Sequence, residues 1–169
     1  MPISPYLKAV REKVGHHLLA MTAVSISIFD AERRLLLGRD TEMGFWTLPG
    51  GGIDPNEQPA DAAVRECFEE TGLLVQLDGL IGVFGGPEFL VHYPNNDVTY
   101  YTTAAFRGTI VGGSHEPGDG ELSALGYFSQ PECENLVMSP SSRIISNRAF
   151  AAIDRPYFAP ATWTPRKAD

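Results

Sequence analysis

One segment constrains this chain more than any other: GGIDPNEQPADAAVRECFEETGL, from Gly51 to Leu73. Gln58 to Thr71 has helical composition, and Gly72 stands where a C-terminal cap belongs. At 3.6 residues per turn, Glu66, Glu69 and Glu70 fall at relative angles of roughly 0°, 300° and 40°, so all three project from one face. Carboxylates in that arrangement repel one another and weaken an isolated helix. A hard divalent cation reverses the sign, because Mg²⁺ takes oxygen ligands and keeps its remaining positions for water and phosphate oxygens. The opposite face carries Ala62, Ala63, Val64, Cys67 and part of Phe68, enough apolar surface to pack on a sheet. Ahead of the helix, Leu48-Pro49-Gly50-Gly51-Gly52 is a loop whose missing side chains let the backbone approach a ligand.

Around this segment the pattern is mostly that of strands. Ala23 to Phe29 alternates Val24, Ile26 and Ile28 with Ser25 and Ser27, which predicts a half-buried strand. A turn at Asp30–Arg33 and a return over Arg34 to Gly38 predict a hairpin. Phe45 to Leu48 is a brief strand, Leu73 to Gly85 a strand interrupted near Asp78-Gly79, and Val98 to Val111, dense in Thr, Tyr, Phe and Val, the strongest strand of all. Leu122 to Phe128 is a further strand. Helices are expected over Tyr6 to Val14 and Ser142 to Ala152. This order implies an α/β (α+β) fold, an α/β/α sandwich, rather than repeated βαβ units. At 169 residues, 43% of them apolar, the chain suits one domain, over 16–155, with an N-terminal helical segment (1–15) and an ill-packed tail (156–169).

Charge narrows the partners. The net charge is −8, and between Asp40 and Ser142 lie 16 acidic residues against only Arg65 and Arg107. A chain held to a nucleic acid polymer by phosphate neutralisation needs clustered Lys and Arg, so no such partner is expected. A substrate of two or more negative charges would meet about fourteen net negative charges in that middle segment, an obstacle that bound divalent cations would remove. No run of 18 apolar residues predicts a membrane span, and the first fourteen residues lack the features of a signal peptide. Two cysteines, Cys67 and Cys133, and no N-x-Ser/Thr acceptor fit reduced thiols and a cytoplasmic location.

The central segment resembles the Nudix box of the MutT-type Nudix hydrolase superfamily. The matching positions are Gly51, Glu57, Arg65, Glu66, Cys67, Glu69, Glu70, Gly72 and Leu73. Seven fixed identities at about 7% each would align by chance on the order of once in a million chains of this length. The likeness extends to Val14-Gly15-His16, Trp46-x-Leu48-Pro49-Gly50-Gly51, Tyr93-Pro94-Asn95 and Glu121 ahead of Tyr127-Phe128, and covers most of residues 10 to 150. Cys67 stands where a larger aliphatic is usual, Asn56 where glycine is frequent and Tyr127 where tryptophan is common.

The resemblance implies metal-dependent hydrolysis of a diphosphate bond. Glu66, Glu69 and Glu70, with the backbone carbonyl of Gly50, are expected to hold Mg²⁺ or Mn²⁺. Glu57 and Arg65 are expected to form a buried brace. Glu66, Glu69 or Glu121 is expected to serve as general base. The substrate expected is a nucleoside diphosphate linked to another group, such as ADP-ribose, an NDP-sugar or a dinucleotide, and Pro87 stands some way past the box where a proline accompanies ADP-ribose hydrolysis. Nucleoside triphosphate pyrophosphohydrolysis is the alternative, and a non-catalytic nucleotide-binding module a third reading that intact box carboxylates argue against. Many relatives pair, which makes a homodimer an expectation of the resemblance alone.

Outside the box, Arg39, Gly51, Phe89 and Tyr93 are candidate substrate contacts, the two aromatics because they flank the turn-like segment from His92 to Asp97 and loops carry recognition. His16 and His17 are adjacent, point differently and lack a third ligand for zinc. Cys67 lies on the packed side of its helix and reads as core rather than nucleophile.

Overall fold

The computed structural model describes residues 4–165 except Pro117 and Asp119. Residues 1–3 of the N-terminal segment and 166–169 of the tail lie outside the described residues. Along the chain run α1 (Pro5–Val14), β1 (Leu19–Ile28), β2 (Leu35–Asp40), β3 (Trp46–Thr47), α2 (Pro59–Thr71), β4 (Leu73–Phe84), a 3₁₀ turn (Pro87–Phe89), β5 (Leu90–His92), β6 (Val98–Gly113), β7 (Leu122–Phe128), α3 (Gln130–Asn135) and α4 (Pro140–Phe150).

The long strand β6 organises the larger, mixed sheet. It pairs parallel to β1, with Leu19 opposite Thr99 and Ile28 opposite Gly108. On its other edge it pairs antiparallel to β4 and, near its start, to β5. A second, antiparallel sheet has the order β3-β2-β7. Two apolar clusters sandwich these strands. Under α2, Ala62, Ala63 and Cys67 pack with Val24, Ile26, Ile28 and Leu36. On the other side, Ile145 and Ala149 of α4 pack with Leu35, Leu37, Phe84 and Phe89. Leu35, Leu36 and Leu37 thus divide between the two cores, as the two-residue period of a strand requires. The chain has the α/β/α form anticipated from its element order.

Three features depart from the sequence reading. The expected hairpin is instead a crossing between sheets: apart from a single bridge between Phe29 and Leu35, β1 pairs with β6 and β2 with β3 and β7. Nor is the second part of β1, residues 23–28, half-buried, since Ser25 and Ser27 are buried along with Val24, Ile26 and Ile28. Layers cover both faces of the strand, and the small hydroxyl side chains let them approach. Finally, the tail is not ill-packed throughout. Tyr157 exchanges backbone hydrogen bonds with Ile81 and Val83, 2.8 and 2.9 Å, and its ring stacks on Phe84 with centroids 5.0 Å apart. The interruption expected near Asp78-Gly79 is a shift of register between Leu77 and Gly79 in β4. Among the described residues no helix is long and apolar enough to cross a membrane.

Candidate active site

The glycine loop is zipped along β1. Val24 N–H donates to Gly51 O and Ile26 N–H to Pro49 O, each at 2.9 Å, and Ile53 N–H to Thr22 O at 3.2 Å. Pro49 ends β3, and the glycines then bring bare backbone against α2. A Cβ on Gly51 would stand 2.6 Å from Glu66 Oε2 and would push that carboxylate aside, while Gly50, at φ 143°, would drive a Cβ into the β1 backbone at Val24 and Ser25. Gly50 N–H donates to Glu70 Oε2 at 2.9 Å, and Glu70 is almost wholly buried.

α2 begins with Pro59, whose missing N–H costs nothing in a first turn. It ends at Gly72, which takes φ 71° and returns its N–H to Phe68 O at 2.9 Å. Between these ends Arg65 gathers the box carboxylates. Its Nε and Nη2 donate to the two oxygens of Glu57, 2.8 and 2.9 Å. Its Nη1 donates to Glu66 Oε1 at 2.7 Å and Glu69 Oε2 at 2.9 Å, and its Nη2 also reaches Gly52 O at 3.1 Å. Glu57 closes the brace from its side by accepting Asp54 N–H at 3.0 Å.

The hydrogen bonds from Arg65 hold the Glu57 carboxyl below the usual carboxylate range, despite partial burial. Glu66 moves the other way: burial pushes its carboxyl up against the opposing pull of Arg65. Two carboxylates held by one arginine, Glu57 before α2 and Glu66 on it, are thereby driven apart in acidity, a pattern common where proton transfer is done. Cys67 is fully buried, and burial pushes its thiol up to about 11, as befits core and not a nucleophile.

Two cavities meet at this ridge. One, about 160 Å³, is bounded by Gly50, Glu70, Tyr93, Thr103 and Ser142. The other, about 460 Å³, lies between α1 and α2 and includes Arg65, Glu66 and Glu69. Gly51, Gly52, Tyr101 and Glu121 border both. Glu121 stands just before β7, its backbone fixed by Thr41, whose N–H donates to Glu121 O at 2.9 Å.

The expected site residues therefore separate into two groups. Gly50, Gly51, Glu57, Arg65, Glu66, Glu69, Glu70, Glu121 and Tyr93 come together at the ridge and its cavities. Phe89 does not: it is 2% exposed and stacks on Phe84 in the core, because the 3₁₀ turn rolls it inward. Arg39 also stays away, exposed on β2 and donating to Gly44 O at 3.3 Å. Tyr101 and the α1 residues are the members that sequence reasoning missed. Alternation along β6 holds the signal for Tyr101, since neighbours on a strand face opposite ways. Tyr100 packs on the core, while Tyr101 meets Tyr93 hydroxyl to hydroxyl at 2.8 Å.

Carboxylate oxygens are the donors that Mg²⁺ and Mn²⁺ prefer, and Glu66 and Glu69 both border the larger cavity while Glu70 borders the smaller. Among the described residues, no three acidic, His or Cys side chains already surround one metal-sized space. The guanidinium of Arg65 lies between Glu66 and Glu69. The donor chemistry fits a hard cation, and the positive charge now beside those two glutamates comes from that arginine.

The pattern that defines the NUDIX domain matches residues 19–146. This chain belongs to the Nudix family. As a Nudix protein it is a pyrophosphohydrolase by class, and its relatives differ in what they cleave. A Bacillus subtilis protein named "Putative 8-oxo-dGTP diphosphatase" is 33% identical over 118 residues, 70% of this chain and 72% of that protein. Human diphosphoinositol polyphosphate phosphohydrolase 3-alpha is 54% identical over 59 residues, 33% of this chain and only 36% of its own length. The crystal structure of a UDP-X diphosphatase superposes with a TM-score of 0.65 at 18% identity, covering 92% of this chain and 75% of that one, which establishes the shared Nudix fold.

Proposed function

We propose that this Nudix enzyme hydrolyses the diphosphate bond of a nucleoside diphosphate linked to a second group. The observation that carries the proposal is the pair of cavities on either side of one carboxylate ridge, joined through Gly51, Gly52, Tyr101 and Glu121. A diphosphate lying across the ridge would place one substituent in each. The smaller cavity is rich in hydroxyls that could hydrogen-bond a nucleoside, among them Tyr93, Thr103 and Ser142. UDP-X diphosphatase, which shares the fold, is named for a substrate of this kind.

In this reading Glu66, Glu69 and Glu70, with the Gly50 carbonyl, would hold Mg²⁺ or Mn²⁺. The bound ion supplies Lewis-acid polarisation of the phosphoryl oxygens and a lowered pKa for water. The chain's own groups do the rest. Arg65 keeps Glu66 and Glu69 aligned, while Glu57 fixes Arg65 from behind. The glycine loop lets the diphosphate come close to Glu66. Glu66, Glu69 or Glu121 takes the proton of the attacking water onto a carboxylate oxygen, for which it must lie within hydrogen-bond reach of that water. Holding both reactants at the ridge turns attack into an effectively unimolecular step.

Similarity to the Bacillus subtilis relative favours a second reading, pyrophosphate release from a nucleoside triphosphate. A panel of nucleotides assayed with Mg²⁺ or Mn²⁺, followed by product analysis, separates the two. Cleavage of ADP-ribose or an NDP-sugar to two monophosphates supports the proposal. Pyrophosphate from triphosphates, with linked diphosphates untouched, replaces it with the second reading. Tight binding of one nucleotide with no turnover of any would point to a module that only binds.

A further inference from the structure

We propose that the cavity between α1 and α2 receives an uncharged glycosyl group on the far side of the diphosphate, and that Tyr6 is the ring against which it packs. The inference rests on the reading that the enzyme cleaves a nucleoside diphosphate joined to a second group. It concerns a wall that lies outside the residues matching the family pattern.

α1 buries none of its residues, so packing alone does not hold it. A polar clasp at its C-terminal end does. Arg11 donates to His17 O at 2.8 Å, Val98 O at 3.1 Å and Thr99 Oγ1 at 2.8 Å, and pairs with Asp97 at 3.4 Å. His16 Nδ1 lies 2.7 Å from Asp97 Oδ1. This clasp sets the start of the helix over the ridge, where Ser4, Pro5, Tyr6 and Leu7 wall the cavity opposite Glu66 and Glu69. Tyr6 is half exposed and also borders an adjoining cavity of about 470 Å³, so its ring stands at the open end of the cavity and not in a core.

The electrostatics select the guest. Asp54, Glu66, Glu69 and Glu121 line the cavity, and among the described residues its one lining cation, Arg65, is shared among three carboxylates. With a divalent ion on Glu66 and Glu69 taken up by the diphosphate oxygens, a further phosphate or carboxylate on the guest would still meet the Asp54 carboxylate with no lining cation of its own. A neutral sugar brings no such charge: its C–H face can lie on an aromatic ring, and its hydroxyls can donate to carboxylate oxygens. The clasp also joins the two compartments, because Asp97 and Tyr93 lie on the same β5–β6 turn, closed by Tyr93 N–H to Asp97 O at 2.9 Å. Arg11 is thus a positioning residue for Tyr6.

The test measures kcat and KM, with Mg²⁺, for UDP- and ADP-linked glucose, each against its glucuronate counterpart, with ADP-ribose and ATP alongside. The proposal expects the glucuronates, the same ring carrying one carboxylate, to show at least tenfold higher KM. Tyr6→Ala is expected to raise KM for the neutral glycosyl substrates at least fivefold, and Tyr6→Phe to restore it. Arg11→Ala should shift KM in the same direction as Tyr6→Ala and more than it shifts kcat. Lys8→Ala, exposed on α1 away from the cavity, should keep the wild-type KM. Equal KM for glucose and glucuronate, or wild-type KM in Tyr6→Ala, would overturn the proposal while leaving the functional reading intact. A wild-type enzyme that cleaves only triphosphates would overturn both.

Discussion

Arg65 grips Glu57 through two parallel hydrogen bonds, 2.8 and 2.9 Å, and so ties α2 to the bend that precedes it. The same guanidinium holds Glu66 and Glu69. Repulsion between carboxylates, which the sequence predicts for this helix face, is thus met by one shared cation. Arg65→Ala leaves three carboxylates facing one another, and about 1–3 kcal/mol of stability should be lost, a range kept modest because the arginine is partly exposed. Urea unfolding of both proteins measures it, and an unchanged midpoint would mean that the brace has no structural weight.

Glu69→Gln and Glu70→Gln should lower kcat by orders of magnitude without unfolding the protein. In Glu70→Gln the amide oxygen can still accept the Gly50 N–H, so the loop keeps its tether while the charge is lost. Near-normal turnover in both variants, with unaltered circular dichroism, would refute the metal assignment.

Chelation should silence the folded enzyme. EDTA is expected to abolish turnover while leaving the thermal transition in place, and added Mg²⁺ or Mn²⁺ to restore activity. Full activity in EDTA would point instead to a site in which Arg65 alone supplies the positive charge.

Acid should weaken the brace in a defined direction. Arg65 holds the folded-state pKa of Glu57 below its ordinary 4.5, so the folded chain binds fewer protons at this group than the unfolded chain does. Its stabilisation is fully present above pH 4.5 and drains away as the pH falls through the folded value. The stability difference between wild type and Glu57→Gln should accordingly shrink below pH 4.5. A difference that stays constant from pH 7 to pH 3 would exclude the linkage.

Tyr157→Ala should destabilise the fold by about 1–3 kcal/mol, since the ring is partly buried against Phe84 and its loss leaves that face of the core uncovered. Hydrogen exchange should quicken at Val83, whose N–H the tail accepts. Unaltered exchange there would show the tail to be dispensable.

The chain's local periodicity was enough to place α2, the β4 interruption and β7, because each depends on neighbours within a few residues. The box carboxylates and their arginine were legible for the same reason: helix geometry alone puts Glu66, Glu69 and Arg65 within reach of one another. Pairing between distant segments was not. Whether β1 meets β2 or β6, whether Phe89 faces a ligand or the core, and whether Arg39 reaches the cavities all depend on which surfaces other layers cover. Periodicity gives the two faces of a strand but not what lies over them. The docking of α1 beside the ridge is the clearest case, since it is decided by Arg11 and Asp97, residues 86 positions apart that become neighbours only when the sheet is complete.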